Sequence, residues 1–213
     1  DGWRSALDEV LVPLLGELSG DTGRGRPRIV LEQLVSADGF AAEPDGGMRF
    51  VEAVSFEDLD RTDEHQMEFV ATVDAIVLGR VTYEMFSSYW PTADPEHDRL
   101  AGPINALPKL VLSETLETAP WGEDEAQIVR GGVGGLREAI ARYSTVVVWG
   151  SLMLSRALLA EELVDTIRLR TVPTFVGEGL GFTPPTREPL VGRLGEQWRY
   201  STGHVTTEYH LRD

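Results

Sequence analysis

The sequence predicts an α/β domain of three layers, α/β/α, built around a mixed and mostly parallel sheet. Three observations carry that prediction. From Arg28 onward, short apolar runs rich in β-branched residues alternate with stretches of helical period, the pattern of strands joined by crossover helices. The C-terminal end breaks the alternation: Gln197–Ser201 and His204–His210 flank a short Thr-Gly turn and read as an antiparallel hairpin added at one edge. With 213 residues, 42% hydrophobic and 25% charged, the chain has the composition of a globular protein with room for one sizeable core.

The first 27 residues stand apart. Trp3, Leu7, Val10, Leu11, Leu14, Leu15 and Leu18 fall on one helical face, and the polar run from Ser19 to Pro27 follows. This predicts an appended amphipathic N-terminal helix and linker over 1–27, kinked at Pro13 and Gly16, ahead of a domain over 28–213. Within the domain, strands are expected at Ile29–Val35, Ala75–Leu78, Leu110–Leu112, Gln127–Arg130, Val146–Trp149 and Ile167–Val172. Helices are expected at Phe56–Val73, Val81–Tyr89, Leu136–Tyr143 and Leu152–Glu161, the first opened by Ser55 with Asp58 three residues later.

Composition excludes several functions. No cysteine is present, which removes a disulfide framework, a thiolate zinc site, an iron–sulfur cluster and a cysteine nucleophile together. Nineteen basic residues stand against thirty-five acidic ones, and a formal charge of −16 repels polyanions, so neither nucleic acid nor an anionic membrane is expected as a partner. No apolar run approaches the roughly 18 residues of a membrane span, and the Leu-rich start lacks a basic leader, so a cytoplasmic location is expected. The four histidines, His65, His97, His204 and His210, show no metal-ligand spacing, and no metal is expected. No G-x-S-x-G elbow appears at a strand end.

Two strand ends carry chemistry. In Gly79-Arg80-Val81-Thr82-Tyr83-Glu84 a glycine leaves the strand, an arginine offers a forked cation and a threonine hydroxyl sits in the first helical turn, parts that suit a phosphate. In Val148-Trp149-Gly150-Ser151-Leu152 a strand again runs through glycine into a helix, with Ser151 placed as cap or phosphate donor. Either turn alone reads equally as a tight turn with a helix cap; two in one sheet point to a dinucleotide. The stretch Gly131-Gly132-Val133-Gly134-Gly135 fails the dinucleotide fingerprint, because Arg137 stands where its last glycine belongs, and is read as a loop.

In order, these residues resemble the dihydrofolate reductase-like fold, and within it the reductases similar to the C-terminal domain of the bifunctional riboflavin-biosynthesis deaminase/reductase. The landmarks run from Ser36-Ala37-Asp38-Gly39-Phe40-Ala41-Ala42 through Gly79-Arg80-x-Thr82-Tyr83-Glu84, then Pro108-Lys109-x-Val111-x-Ser113. They continue through Gly150-Ser151 and Leu163-Val164-Asp165 to Pro173 with Gly177-x-Gly179. The resemblance implies NADPH as cofactor, with nicotinamide near the loop from Asp38 to Ala42. It implies Gly79, Arg80 and Thr82 at the pyrophosphate and 2′-phosphate, Ser113 beside that 2′-phosphate, and Gly150, Ser151, Leu152 and Leu154 at the second phosphate turn, where Ser151 replaces a glycine. Thr166 follows Asp165 where relatives often carry glutamate, and Phe86 to Pro91 lacks the acidic residue of the riboflavin-pathway reductases, departures that point away from a ribitylaminopyrimidine substrate.

Two carboxylates are candidates for catalysis. Asp63 lies sixteen residues before Gly79, the separation dihydrofolate reductase keeps between its acid and its glycine-arginine turn, though it also belongs to an acid-rich run typical of a solvated helix face. Asp38 reads either as a catalytic neighbour of the nicotinamide or as half of an Asp-Gly turn. The expected function is an NADPH-dependent reductase transferring hydride to a C=N or C=O bond of a small heterocyclic or carbonyl substrate. The alternatives are 5-amino-6-(5-phosphoribosylamino)uracil reductase and a non-catalytic nucleotide-binding protein. The apolar stripe of the N-terminal helix predicts a homodimer or docking on the same chain.

Overall fold

The computed structural model describes residues 25–54, 60–185 and 189–212. The amphipathic helix read over the first residues, and the Ser55–Asp58 cap, lie outside the described residues. Along the chain come β1 (Arg28–Ser36), α1 (Arg49–Glu52), α2 (Asp60–Val70), β2 (Ala75–Gly79), α3 (Arg80–Tyr89), a 3-10 turn (Trp90–Thr92) and α4 (Ala101–Ala106). They are followed by β3 (Lys109–Leu112), β4 (Pro120–Trp121), β5 (Asp124–Glu125), β6 (Gln127–Val129), α5 (Gly132–Ile140), β7 (Thr145–Trp149) and α6 (Leu152–Ala160). Last come β8 (Thr166–Val172), β9 (Arg193–Arg199) and β10 (Val205–His210).

Eight strands form one sheet in the order β6-β3-β2-β7-β1-β8-β10-β9, with β4 and β5 pairing separately. The pairings from β6 to β8 are parallel, and β10 runs antiparallel to both β8 and β9. β2 and β7 are apolar on both faces because helices cover both. On one face Leu31, Val77, Val148 and Ile167 meet Leu136 and Ile140 of α5 and Leu154 and Leu158 of α6. On the other, Ile76, Leu78 and Val147 meet Val70 of α2, Tyr83 of α3 and Ile104 of α4. Each such side chain stabilises the fold by about 1.5–3 kcal/mol on burial.

The six parallel strands and the hairpin stand where the sequence placed them. The differences have local causes. The strand read as Gln197–Ser201 begins earlier, at Arg193, because β9 is an exposed edge whose polar residues hide its period. The glycine run read as a loop turns and starts a helix: Gly131 adopts φ 81° as N-cap, and α5 begins at Gly132, not at Leu136. A side chain at Gly135 would meet the Arg130 carbonyl at 1.8 Å, so the helix can begin there only with glycine. No described helix is long and apolar enough to cross a membrane.

Candidate active site

Strand register assembles a polar row that the sequence reading did not single out. Glu32 of β1 lies opposite Trp149 of β7 and Arg168 of β8, and Arg168 lies opposite Glu208 of β10. Side chains alternate along strands, so all four project from the same face of the sheet, against α2. Glu32 is 4% exposed; its Oε1 accepts from Gln66 Nε2 of α2 at 2.7 Å and from Trp149 Nε1 at 2.9 Å. Its Oε2 accepts from Arg168 Nη1 at 2.5 Å, and the same nitrogen donates to Gln66 Oε1 at 2.6 Å. Arg168, 1% exposed, also faces Glu208 at 3.2 Å and lies 4.3 Å from the Phe69 ring centre. Arg170, two residues along β8, reaches within 3.8 Å of Glu32 and keeps 21% of its side chain exposed.

One cleft of about 790 Å³ opens over this row and runs to both glycine turns. Its lining contains Ala42, Gly79, Arg80, Thr82, Gly150, Ser151, Leu152 and Leu154, eight of the residues proposed from sequence, together with Glu32, Gln66, Trp149 and Arg170. A single hydroxyl couples the turns. Ser151 Oγ accepts from the Gly79 amide at 2.7 Å and donates to Thr82 Oγ1 at 2.9 Å. Ser151 adopts φ 62°, a left-handed conformation that costs a non-glycine residue about 1–3 kcal/mol and here follows Gly150 at φ 57°. No side chain caps α3 or α6, so the first amides of both helices are left for an anion in the cleft. At α5 the arrangement differs, because Glu114 Oε1 accepts from the amides of Gly131 at 2.9 Å and Gly132 at 3.1 Å.

The remaining proposed residues stand elsewhere. Asp38 does not line the cleft; its carboxylate accepts from Ser36 Oγ at 2.6 Å and from the amides of Gly177 at 2.8 Å and Val176 at 3.2 Å. The Ser36 hydroxyl and then the Gly177 amide hold its pKa below the ordinary value. Asp38 therefore ties two loops together beside the cleft, outside its lining. That clamp, with the Ala42–Leu180 bridge, fixes the cleft wall at Ala41 and Ala42. Ser113 is not among the residues lining the cleft; its Oγ accepts from the Thr115 amide at 3.3 Å and the Leu116 amide at 3.1 Å, and its hydroxyl proton remains available to a partner. Asp63 belongs to α2, but its side chain lies outside the described residues. Arg80 stands half exposed at the cleft mouth, paired with Glu84 at 3.0 Å. Among the described residues no group of three or more acids and histidines is arranged for a metal.

The signal that would have found Glu32, Arg168 and Arg170 was present: charged residues sat at alternate positions inside strands otherwise built for a core. What the sequence lacked was the register that makes them neighbours.

Fold, row and turns define an α/β domain of dihydrofolate reductase-like architecture. The RibD C-terminal domain family matches residues 27–205, and the chain belongs to that family. The uncharacterized protein YyaP of Bacillus subtilis (strain 168) is 23% identical over 187 residues, spanning 86% of this chain and 94% of that protein. A putative riboflavin biosynthesis protein from Shewanella sp. PV-4 has the same fold, with a TM-score of 0.67, 20% identity, and 86% of this chain and 98% of that chain covered. Dihydrofolate reductase from Enterococcus faecalis, solved with NADP(H), gives a TM-score of 0.50 at 14% identity, with 87% of this chain and 96% of that chain covered.

Proposed function

We propose that the protein is an NADPH-dependent reductase of a small unsaturated substrate, carrying hydride to a C=N or C=O bond. The observation that supports this most is the continuity of one cleft from two uncapped helix starts, α3 and α6, to the buried row at Glu32. The residues present fit a dinucleotide diphosphate: the first amides of α3 and α6 and the Thr82 hydroxyl would hold it, and Arg80 at the mouth would pair with a further phosphate. Bound reduced nicotinamide supplies the hydride, and the chain supplies position and electrostatics. Ala41 and Ala42 form a fixed wall for a planar ring. Glu32, held by Gln66, Trp149 and Arg168, presents a carboxylate that cannot rotate away from the substrate end of the cleft. The reduction also consumes a proton at the substrate heteroatom, and Asp63 remains its proposed donor on sequence spacing alone.

The test combines cofactor titration with turnover. NADPH is expected to bind wild type, and oxidation of NADPH is expected with at least one member of a panel of cyclic imines, pyrimidines and conjugated carbonyls. Glu32→Gln should retain cofactor affinity while losing turnover, and Asp63→Asn should lose turnover by about 10²–10⁴-fold, the range of general acid–base losses. Absence of NADPH binding by wild type would reject the reading. Family membership favours one second reading, 5-amino-6-(5-phosphoribosylamino)uracil reductase, and turnover of that compound would establish it. Affinity without turnover across the whole panel would favour a nucleotide-binding protein instead. A cytoplasmic homodimer stays part of the proposal, its association testable by light scattering.

A further inference from the structure

The substrate end of the cleft has a composition of its own. Phe86, Trp90, Leu100 and Ile104 line it, and Phe86 stands 5.9 Å from the Trp149 ring and 6.1 Å from that of Trp90. Trp149 carries the aromatic wall directly to the polar row through its bond to Glu32. Only three charged residues line the whole cleft among those described: Arg80 at the cofactor turn, Glu32 and Arg170. Glu32 has its oxygens engaged by Gln66, Trp149 and Arg168. The Arg170 guanidinium has no closer ion partner than Glu32 at 3.8 Å, which leaves its forked donors for a group in the cleft.

We infer that Arg170 is the residue that selects the substrate, and that the substrate is a flat, largely apolar molecule presenting one carbonyl or carboxylate oxygen, without a phosphate. This rests on the reductase reading above. The aromatic wall removes a conjugated body from water, and a planar guanidinium pairs with an oxygen acceptor at its edge. A phosphate dianion fits poorly. The row of Glu32, Arg168, Glu208 and Arg170 holds two acids against two bases, and the chain around it carries −16, so no surplus of positive charge awaits two negative charges. A phosphoribosyl group would also have to place its hydrated ribose against Phe86, Trp90 and Leu100.

Three probes test this by equilibrium titration of the full chain saturated with NADPH: 2-naphthoate, 2-naphthylmethylammonium and ribose 5-phosphate. Naphthoate is expected to bind best, and Arg170→Met to weaken it roughly tenfold or more, the equivalent of one charge-assisted hydrogen bond. Arg170→Lys, which keeps the charge and loses the fork, should recover part of that loss and guards against a Met variant that misfolds. Equal naphthoate affinity in wild type and both variants overturns the inference, as does tighter binding of ribose 5-phosphate or of the naphthylmethylammonium ion. NADPH titrated alone separates the two readings. If wild type fails to bind NADPH but Arg170 still governs naphthoate, the reductase reading falls and the oxygen-reading site stands. If NADPH binds and naphthoate ignores Arg170, the reverse holds.

Discussion

Single side chains here do two jobs that share a residue type but not a setting. Ser151 accepts a left-handed backbone in order to place one hydroxyl between Gly79 and Thr82. Ser151→Ala keeps the strained backbone and leaves the Gly79 amide without its partner, so a loss of about 1–3 kcal/mol in urea denaturation and weaker NADPH binding are expected together. Asp38 shows the same economy in a structural role. Its folded pKa is depressed, so the stability it contributes is present above the ordinary carboxylate value and is lost as pH falls through the lower folded value. Asp38→Asn should therefore melt below wild type at neutral pH, and the gap should close in acid below that range. A gap that stays constant across those two melting curves would remove the Ser36 and Gly177 bonds as its cause.

At the scale of elements, the glycines opening α5 separate packing from flexibility. A side chain at Gly134 would touch nothing within 4 Å, whereas one at Gly135 would collide with the Arg130 carbonyl. Gly134→Ala is expected to stabilise by up to about 1 kcal/mol through helix propensity, and Gly135→Ala to destabilise clearly, both measured by thermal unfolding. The same helix shows how far the sequence could be read. Val146–Trp149 and Ala75–Leu78 were legible because both faces of a central parallel strand are apolar. The start of α5 was not, since glycine carries no period and its conformation is set by a carbonyl beside it. The site divides in the same way. Gly79, Arg80, Thr82, Gly150 and Ser151 announce themselves as contiguous motifs, while Glu32 acquires its meaning from Arg168, 136 positions away. Asp38 and Ser113 stayed open in the sequence because a turn-forming hydrogen bond and a ligand contact use the same atoms.

For the whole molecule, cofactor choice sums these placements. In the proposed reading Arg80 would receive the extra phosphate of NADPH, and it would release only an exposed pair with Glu84, worth a few tenths of a kcal/mol. NADPH should bind about tenfold or more tightly than NADH. Arg80→Ala should bring the two affinities together, read from parallel fluorescence titrations. Equal affinities already in wild type would take Arg80 out of this role.

The polar row has one more consequence, in the order in which a growing chain can be completed. Glu32 meets Gln66 within 34 residues, waits 117 residues for Trp149, and needs 136 before Arg168 exists to face it. A carboxylate is costly to bury without a cation, so the place of β1 in the middle of its sheet gains its full stability only once β8 supplies Arg168. The two glycine turns mature sooner, as soon as α6 has been made. A nascent chain at that stage would already own a grip for anions while the row at Glu32 was still wet and unformed, and the strands that follow α6 would be the ones that close it.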